Sequence, residues 1–257
     1  MGLAAPTVLI AGYLFAAPAY SDTAGPDILC DKDPRGCPDL IINDTKLNNA
    51  KLVTQTFTSA DCAVQENQVG GTGPRRLLTF PYSTPNMGPG ALIIGDPQDP
   101  ANAPLFEWGA CHGHWHFKKY AAYRLWKPEE FQRFKDIRKA NPNALTDDLI
   151  ASNNLNPIKG AKRGFCVIDF AKAPEFQGQR DPKKYVDCGY GTTVHGNQGI
   201  GVGWADTYGR KLEGQWIDVT DVPDGEYVLE VEANALHSFQ EVNYKNNFGS
   251  KRIKVTH

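Results

Sequence analysis

From Pro38 onward the chain alternates short apolar strings with clusters of Gly, Pro, Asn and Asp. The strings Lys51–Phe57, Leu77–Phe80 and Ala91–Ile94 have strand length, and the residues between them favour turns. No internal repeat or low-complexity run interrupts this texture. The C-terminal part carries it furthest. Trp216, Ile217 and Val219 make one strand, Pro223-Asp224-Gly225 a turn, Tyr227, Leu229 and Val231 alternate along the next strand, and Ile253 and Val255 close a last one. The pattern predicts a mainly β chain built around a β-sandwich, which by itself names no function. The exception is a helix predicted near 128–141, where Pro128 and two acids open the first turn and Phe131, Phe134 and Ile137 recur three apart. The polar, Asn-rich stretch between Pro142 and Pro157 reads as a surface excursion.

At 28.3 kDa the chain has room for one large β domain or two small ones. Net charge is -2, pI is about 6.3 and no Lys/Arg run occurs, so the electrostatic footprint of a nucleic-acid binder is missing. Residues 1–19 read as a signal peptide, with an apolar stretch from Thr7 to Ala17 and a cleavage site after Ala19, although Lys and Arg are lacking before it. The run breaks at Pro18, which is short for a membrane anchor. The expected organisation is therefore a leader, a short segment over 20–37 and one domain over 38–257, secreted to an extracellular or periplasmic space. Six cysteines, Cys30, Cys37, Cys62, Cys111, Cys166 and Cys188, suit such export. Cys30 and Cys37 can close a small local loop, but sequence alone leaves fifteen full connectivities open.

The segment Cys111-His-Gly-His-Trp-His-Phe117 spends three of the chain's six histidines within five residues. On an extended strand His112, His114 and His116 leave one face together. A flat strand holds the Cα atoms of His112 and His116 about 13 Å apart, which two imidazoles on one ion barely span, so the strand must curl or bulge. Neutral imidazole is the common ligand of copper and zinc, and three of them with an open position make a catalytic pattern. Hydrolysis at zinc is the weaker option, because no H-E-x-x-H arrangement occurs.

Around this cluster the residues resemble the lysyl oxidase family. The segment Phe106-Glu-Trp-Gly-Ala-Cys-His-Gly-His-Trp-His-Phe117 is similar to that family's copper-binding segment. Gly160-Ala-Lys-Arg-Gly-Phe-Cys-Val-Ile-Asp169, Trp204-Ala-Asp-Thr-Tyr-Gly209 and Gln215-Trp-Ile-Asp218 follow in the family's order, and the similarity covers roughly Pro38 to Val255. The resemblance implies a copper-dependent amine oxidase with a second cofactor, lysine tyrosylquinone, made by a crosslink between Lys162 and Tyr208. Such a quinone supplies the electrophilic carbonyl that the twenty side chains lack. A primary amine or a lysine-containing protein would be oxidised to an aldehyde, with dioxygen as acceptor and peroxide and ammonia released.

Asp206, two residues from Tyr208, is the candidate base for the α-proton; His195 is an outside candidate for that role or for a metal contact. The resemblance also implies the pairs Cys62–Cys111 and Cys166–Cys188. Two further family disulfides are missing at both ends, with Gln68 and Gly214 standing where one pair would be. Ala161 replaces the histidine that animal lysyl oxidases carry before the crosslinking lysine, so the fourth metal ligand is open. The stretch from His116 to Lys162 is longer than in those proteins, and oxidation of collagen or elastin lysines does not follow. The competing reading is a secreted copper-binding β-sandwich without the quinone.

Overall fold

The computed structural model describes residues 27–118, 120–162, 164–191 and 195–256. The expected leader, 1–19, lies outside them. The strands are β1 (Lys51–Phe57), β2 (Gly73–Thr79), β3 (Tyr82–Pro85), β4 (Leu92–Gly95), β5 (Phe106–Gly109) and β6 (His114–Phe117). They continue with β7 (Ala121–Trp126), β8 (Ile158–Lys159), β9 (Ala171–Lys172), β10 (Gln198–Ile200) and β11 (Trp204–Tyr208). β12 (Trp216–Asp218), β13 (Gly225–Ala233) and β14 (Phe248–Val255) complete the set. The helices are α1 (Cys62–Gln65), α2 (Pro128–Ala140) and α3 (Thr146–Ser152). The chain is mainly β, as its turn-punctuated pattern requires. Among the described residues no helix is long and apolar enough to cross a membrane.

The strands pair in several small antiparallel sheets. The largest runs β14-β13-β7-β8, and its centre shows how sequence alternation becomes a layer. On β13, Tyr227, Leu229, Val231 and Ala233 turn into the main core, where they join Phe80, Tyr123 and Phe165. On the other face lie Val228, Glu230 and Glu232, and this face is covered too. Helices α2 and α3 lie over it, so that Trp126, Phe134, Leu149, Ile150, Leu155 and Val228 form a second apolar cluster. Trp126 and Phe134 stack with ring centroids 4.7 Å apart.

The helix near 128–141 is thus present as α2, with Glu129 and Glu130 in its first turn and Arg138 and Lys139 in its last, the arrangement a helix dipole favours. The surface excursion expected after it is corrected. Its second part is a helix, α3, whose Leu149 and Ile150 are buried against the sheet. A few apolar residues among Asn and Asp sufficed, because α2 already supplied a face to pack on.

That cover buries charge. Arg124 on β7 is 1 % exposed and donates to Glu232 at 2.5 Å and Glu230 at 3.5 Å. Trp126 Nε1 donates to Glu230 at 2.6 Å, Thr146 Oγ1 donates to Glu232 at 2.8 Å, and Arg138 reaches both carboxylates. Every carboxylate here has a cation, as a buried carboxylate needs.

Candidate active site

The histidine segment is shaped by a turn and a hairpin. β5 and β6 pair so that Glu107 opposes His116 and Gly109 opposes His114. Beyond His114 the strand stops. The amides of His112 and Gly113 both donate to the Gly109 carbonyl, at 3.0 and 2.8 Å, and Gly113 takes φ +67°, a conformation open to glycine. The expectation of one strand face carrying all three histidines is therefore corrected. His114 and His116 share the strand, and His112 returns toward them on the turn. Ring centroids stand 4.7 Å apart for His114 and His116, 5.8 Å for His112 and His114, and 5.5 Å for His112 and His116.

Hydrogen bonding sets the ring protons. His114 Nδ1–H donates to the His112 carbonyl at 3.0 Å, which leaves its Nε2 as acceptor toward His116 Nε2, also at 3.0 Å. Burial holds His114 below the ordinary imidazole range, and burial plus the charge of Lys162 pushes His116 down to about 3. Both rings are neutral at physiological pH, the form a metal takes. His112 Nε2 is buried without a hydrogen-bond partner, 3.5 Å from Glu66 Oε2.

Among the described residues no three His, Cys, Asp or Glu side chains stand in a finished ligand arrangement. The donor set nevertheless fits a borderline metal such as copper or zinc. Two neutral imidazole nitrogens face each other and a third is left without a partner, which is what a shared ion would use.

The remaining candidates come from two other segments. Phe117 exchanges backbone hydrogen bonds with Phe165 at 2.7 and 3.1 Å, laying the Lys162 segment along the histidine strand. Buried Gln198 clamps the same region. Its Nε2 donates to the carbonyls of Trp115 and Cys188 and its Oε1 accepts from the Val167 amide. β11 pairs with β3 in the register Asp206↔Thr84 and Tyr208↔Tyr82, which turns Asp206 and Tyr208 the same way. A cavity of about 360 Å³ is lined by His112, His114, His116, Lys162, Asp206 and Tyr208, with Ile168, Phe170 and Leu212 as apolar wall.

Within it Lys162 and Tyr208 meet through Phe165. Lys162 Nζ lies 5.1 Å from the Phe165 ring centre, and that ring packs edge-on against Tyr208 at 4.9 Å. The Tyr208 hydroxyl donates to the Cys166 carbonyl. Burial lowers the Lys162 amine from its ordinary value, against the opposing pull of Glu66, Glu213 and Glu107. Asp206 is 1 % exposed, one of its carboxyl oxygens lacks a partner, and burial raises it well above the usual carboxylate range.

The Lys162 stem passes beside Gly214. A Cβ there would stand 2.5 Å from Lys162 Cδ and 2.6 Å from Gln68 Oε1. Gln68 and Gly214 are therefore spatial neighbours, as the paired absence of two cysteines implies. The disulfides are Cys30–Cys37, Cys62–Cys111 and Cys166–Cys188. His195 is not in this cavity: it is 73 % exposed and paired with Asp96. Sequence reasoning missed Glu66 and Glu107. Glu107 shares a second, smaller cavity of about 250 Å³ with Glu66, His116 and Lys162. One signal for Glu66 was available, since it lies four residues after Cys62, whose partner precedes His112.

A family model described as lysyl oxidase matches residues 38–257. Human protein-lysine 6-oxidase is 28% identical over 238 residues, covering 86% of this chain and 46% of the human one. The pig protein of the same name is 27% identical over 237 residues, covering 86% of this chain and 78% of its own. Mouse lysyl oxidase homolog 2 is 27% identical over 90% of this chain and 26% of its own length. The chain thus spans about half the length of the human relative, and about a quarter of the mouse one.

Proposed function

The chain belongs to the lysyl oxidase family, and from that membership we propose that it is a copper-dependent oxidase of primary amines, peptidyl-lysine included, whose second redox group is made from Lys162 and Tyr208. One observation carries this reading: a single cavity brings together His112, His114, His116, Lys162, Asp206 and Tyr208, drawn from three separate segments. The catalytic unit is the domain over 38–257, exported after removal of the leader, with dioxygen as the second substrate.

His112, His114 and His116 would hold the copper. When present, copper and the quinone supply the electron-accepting chemistry that amine oxidation needs and that side chains lack. The rest falls to the chain. Lys162 has to offer a neutral amine, and its lowered pKa raises the neutral fraction over that of a free lysine near 10.4. Ile168, with the more exposed Phe170 and Leu212, gives the place where the Tyr208 ring would react an apolar wall. Asp206 takes the substrate's α-proton as carboxylate, so that part of the turnover strengthens as pH rises from the ordinary carboxylate range toward its raised value.

The alternative, a copper-binding β-sandwich without the quinone, is favoured by one observation: the Phe165 ring packs against both Lys162 and Tyr208. A peptide map of protein produced with copper and oxygen separates the two. The expected result is a crosslinked pair of peptides containing Lys162 and Tyr208, with peroxide released when a primary amine is added. Lys162→Arg keeps the charge but replaces the amine with a poor nucleophile. It should fold and bind copper, yet give neither crosslink nor peroxide. Wild-type protein that binds copper with no crosslink and no turnover would establish the alternative instead.

A further inference from the structure

His112 Nε2 is buried, has no hydrogen-bond partner, and stands 3.5 Å from Glu66 Oε2. That separation is long for a hydrogen bond, whose N···O distance lies at about 2.7–3.2 Å. It suits two donors of one ion: bonds of about 2.0–2.2 Å at tetrahedral to trigonal angles set their atoms roughly 3.3–3.6 Å apart. We propose that Glu66 is the fourth protein contact of the metal centre, its carboxylate joining His112, His114 and His116. The proposal rests on the reading that these histidines bind copper and adds a ligand to it.

Three further features converge on the same carboxylate. The Cys62–Cys111 disulfide ties α1, whose last turn ends on Glu66, to the residue before His112. The staple therefore fixes the two segments that carry the 3.5 Å pair. Gln68 Nε2 donates to Glu66 Oε2 at 2.5 Å, the outer hydrogen bond that commonly orients a ligating carboxylate. Charge supplies the last argument. Three neutral imidazoles leave a divalent ion uncompensated in a partly buried site beside Lys162, and among the described residues Glu66 is the carboxylate near that site that pairs with a histidine. Glu107 lines the adjoining cavity, with its Oε1 beside Gly164.

The test is a Cu(II) titration of chelator-stripped full-length protein, with electron paramagnetic resonance of the bound copper, on wild type, Glu66→Gln and Glu107→Gln. Both substitutions remove one negative charge near the site, and only the first removes the proposed ligand. Glu66→Gln should weaken copper binding at least about tenfold and change the copper hyperfine pattern. Glu107→Gln should leave both as in wild type. Circular dichroism and non-reducing peptide mapping verify that all three proteins keep the fold and the Cys62–Cys111 bridge. If Glu66→Gln retains the wild-type spectrum, whatever its affinity, or if the two variants weaken binding equally, Glu66 is not a ligand. Wild type that takes up no copper at the histidines would instead sink the underlying reading, a result distinct from failure in the variant comparison alone.

Discussion

Two buried polar clusters lie within this fold and are built in opposite ways. Under α2 and α3, Arg124 and Arg138 meet Glu230 and Glu232, and both carboxylates also accept hydrogen bonds from neutral groups, Trp126 and Thr146. In the cavity on the other side, His112 Nε2 and one oxygen of Asp206 lack partners, and burial pushes Lys162 and His116 toward their neutral forms. Leaving a buried polar atom unpaired costs about 1–3 kcal/mol. In the first cluster Arg124 Nη2 also lacks a hydrogen bond but lies 3.6 Å from a carboxylate oxygen of Asp147, whereas the cavity holds two such atoms, on His112 and Asp206. The first cluster attaches α2 and α3 to a sheet. The second keeps donors free for something else.

Breaking the compensated cluster should give the largest effect on stability. Arg124→Met leaves Glu230 and Glu232 with Arg138 alone, at 3.9 and 3.6 Å. A loss of about 3–5 kcal/mol in urea unfolding is expected. Copper affinity should be unchanged, because none of these side chains lines the histidine cavity. A loss below about 1 kcal/mol would mean that the cluster is not the tie it is taken for, and a parallel loss of copper would mean that the two regions are coupled.

The uncompensated cluster should respond in the other sense. The Asp206 carboxyl sits far above its ordinary value in the folded protein because of burial. Its contribution to stability is therefore fully present below the unfolded carboxylate pKa and is lost as pH rises through the folded one. Asp206→Asn removes the ionisable group. Wild type and variant should unfold alike near pH 4, and the variant should become the more stable of the two toward alkaline pH. Turnover should move oppositely, falling by at least about 10²-fold if Asp206 is the base. A variant less stable than wild type at alkaline pH would show that the carboxylate is compensated after all.

The same contrast explains what the sequence displayed and what it hid. The alternation of Tyr227, Leu229 and Val231 identified the core face of β13, because a strand's period forces it. It could not say that Glu230 and Glu232 on the opposite face would be buried, since that depends on where α2 and α3 land. The composition of 142–157, rich in Asn and Asp, masked Leu149, Ile150 and Leu155 in the same way. The histidines stood out by their own spacing, whereas Lys162 and Tyr208 were legible only through the resemblance of their segments to the lysyl oxidase family. Glu66 has neither signal. It comes against His112 only through a covalent tie across 49 residues, and its position becomes visible once that tie is known.

The smallest effect is expected at His195, and it sharpens the boundary of the uncompensated cluster. A lone histidine in a chain with a histidine cluster invites a role as base or extra ligand. Its ring, however, is 73 % exposed, and its partner is Asp96, itself outside the cavity. An exposed pair of this kind contributes about 0–1 kcal/mol, because solvent screens it and holding both side chains in place costs entropy. His195→Ala should therefore change unfolding stability by less than about 1 kcal/mol, and amine-dependent peroxide release by no more than about twofold, as surface substitutions do. Urea unfolding and a peroxide assay measure the two directly. A drop in turnover beyond about tenfold, with the crosslink intact, would move the proton acceptor from Asp206 to His195 and extend the reactive cluster to the protein surface.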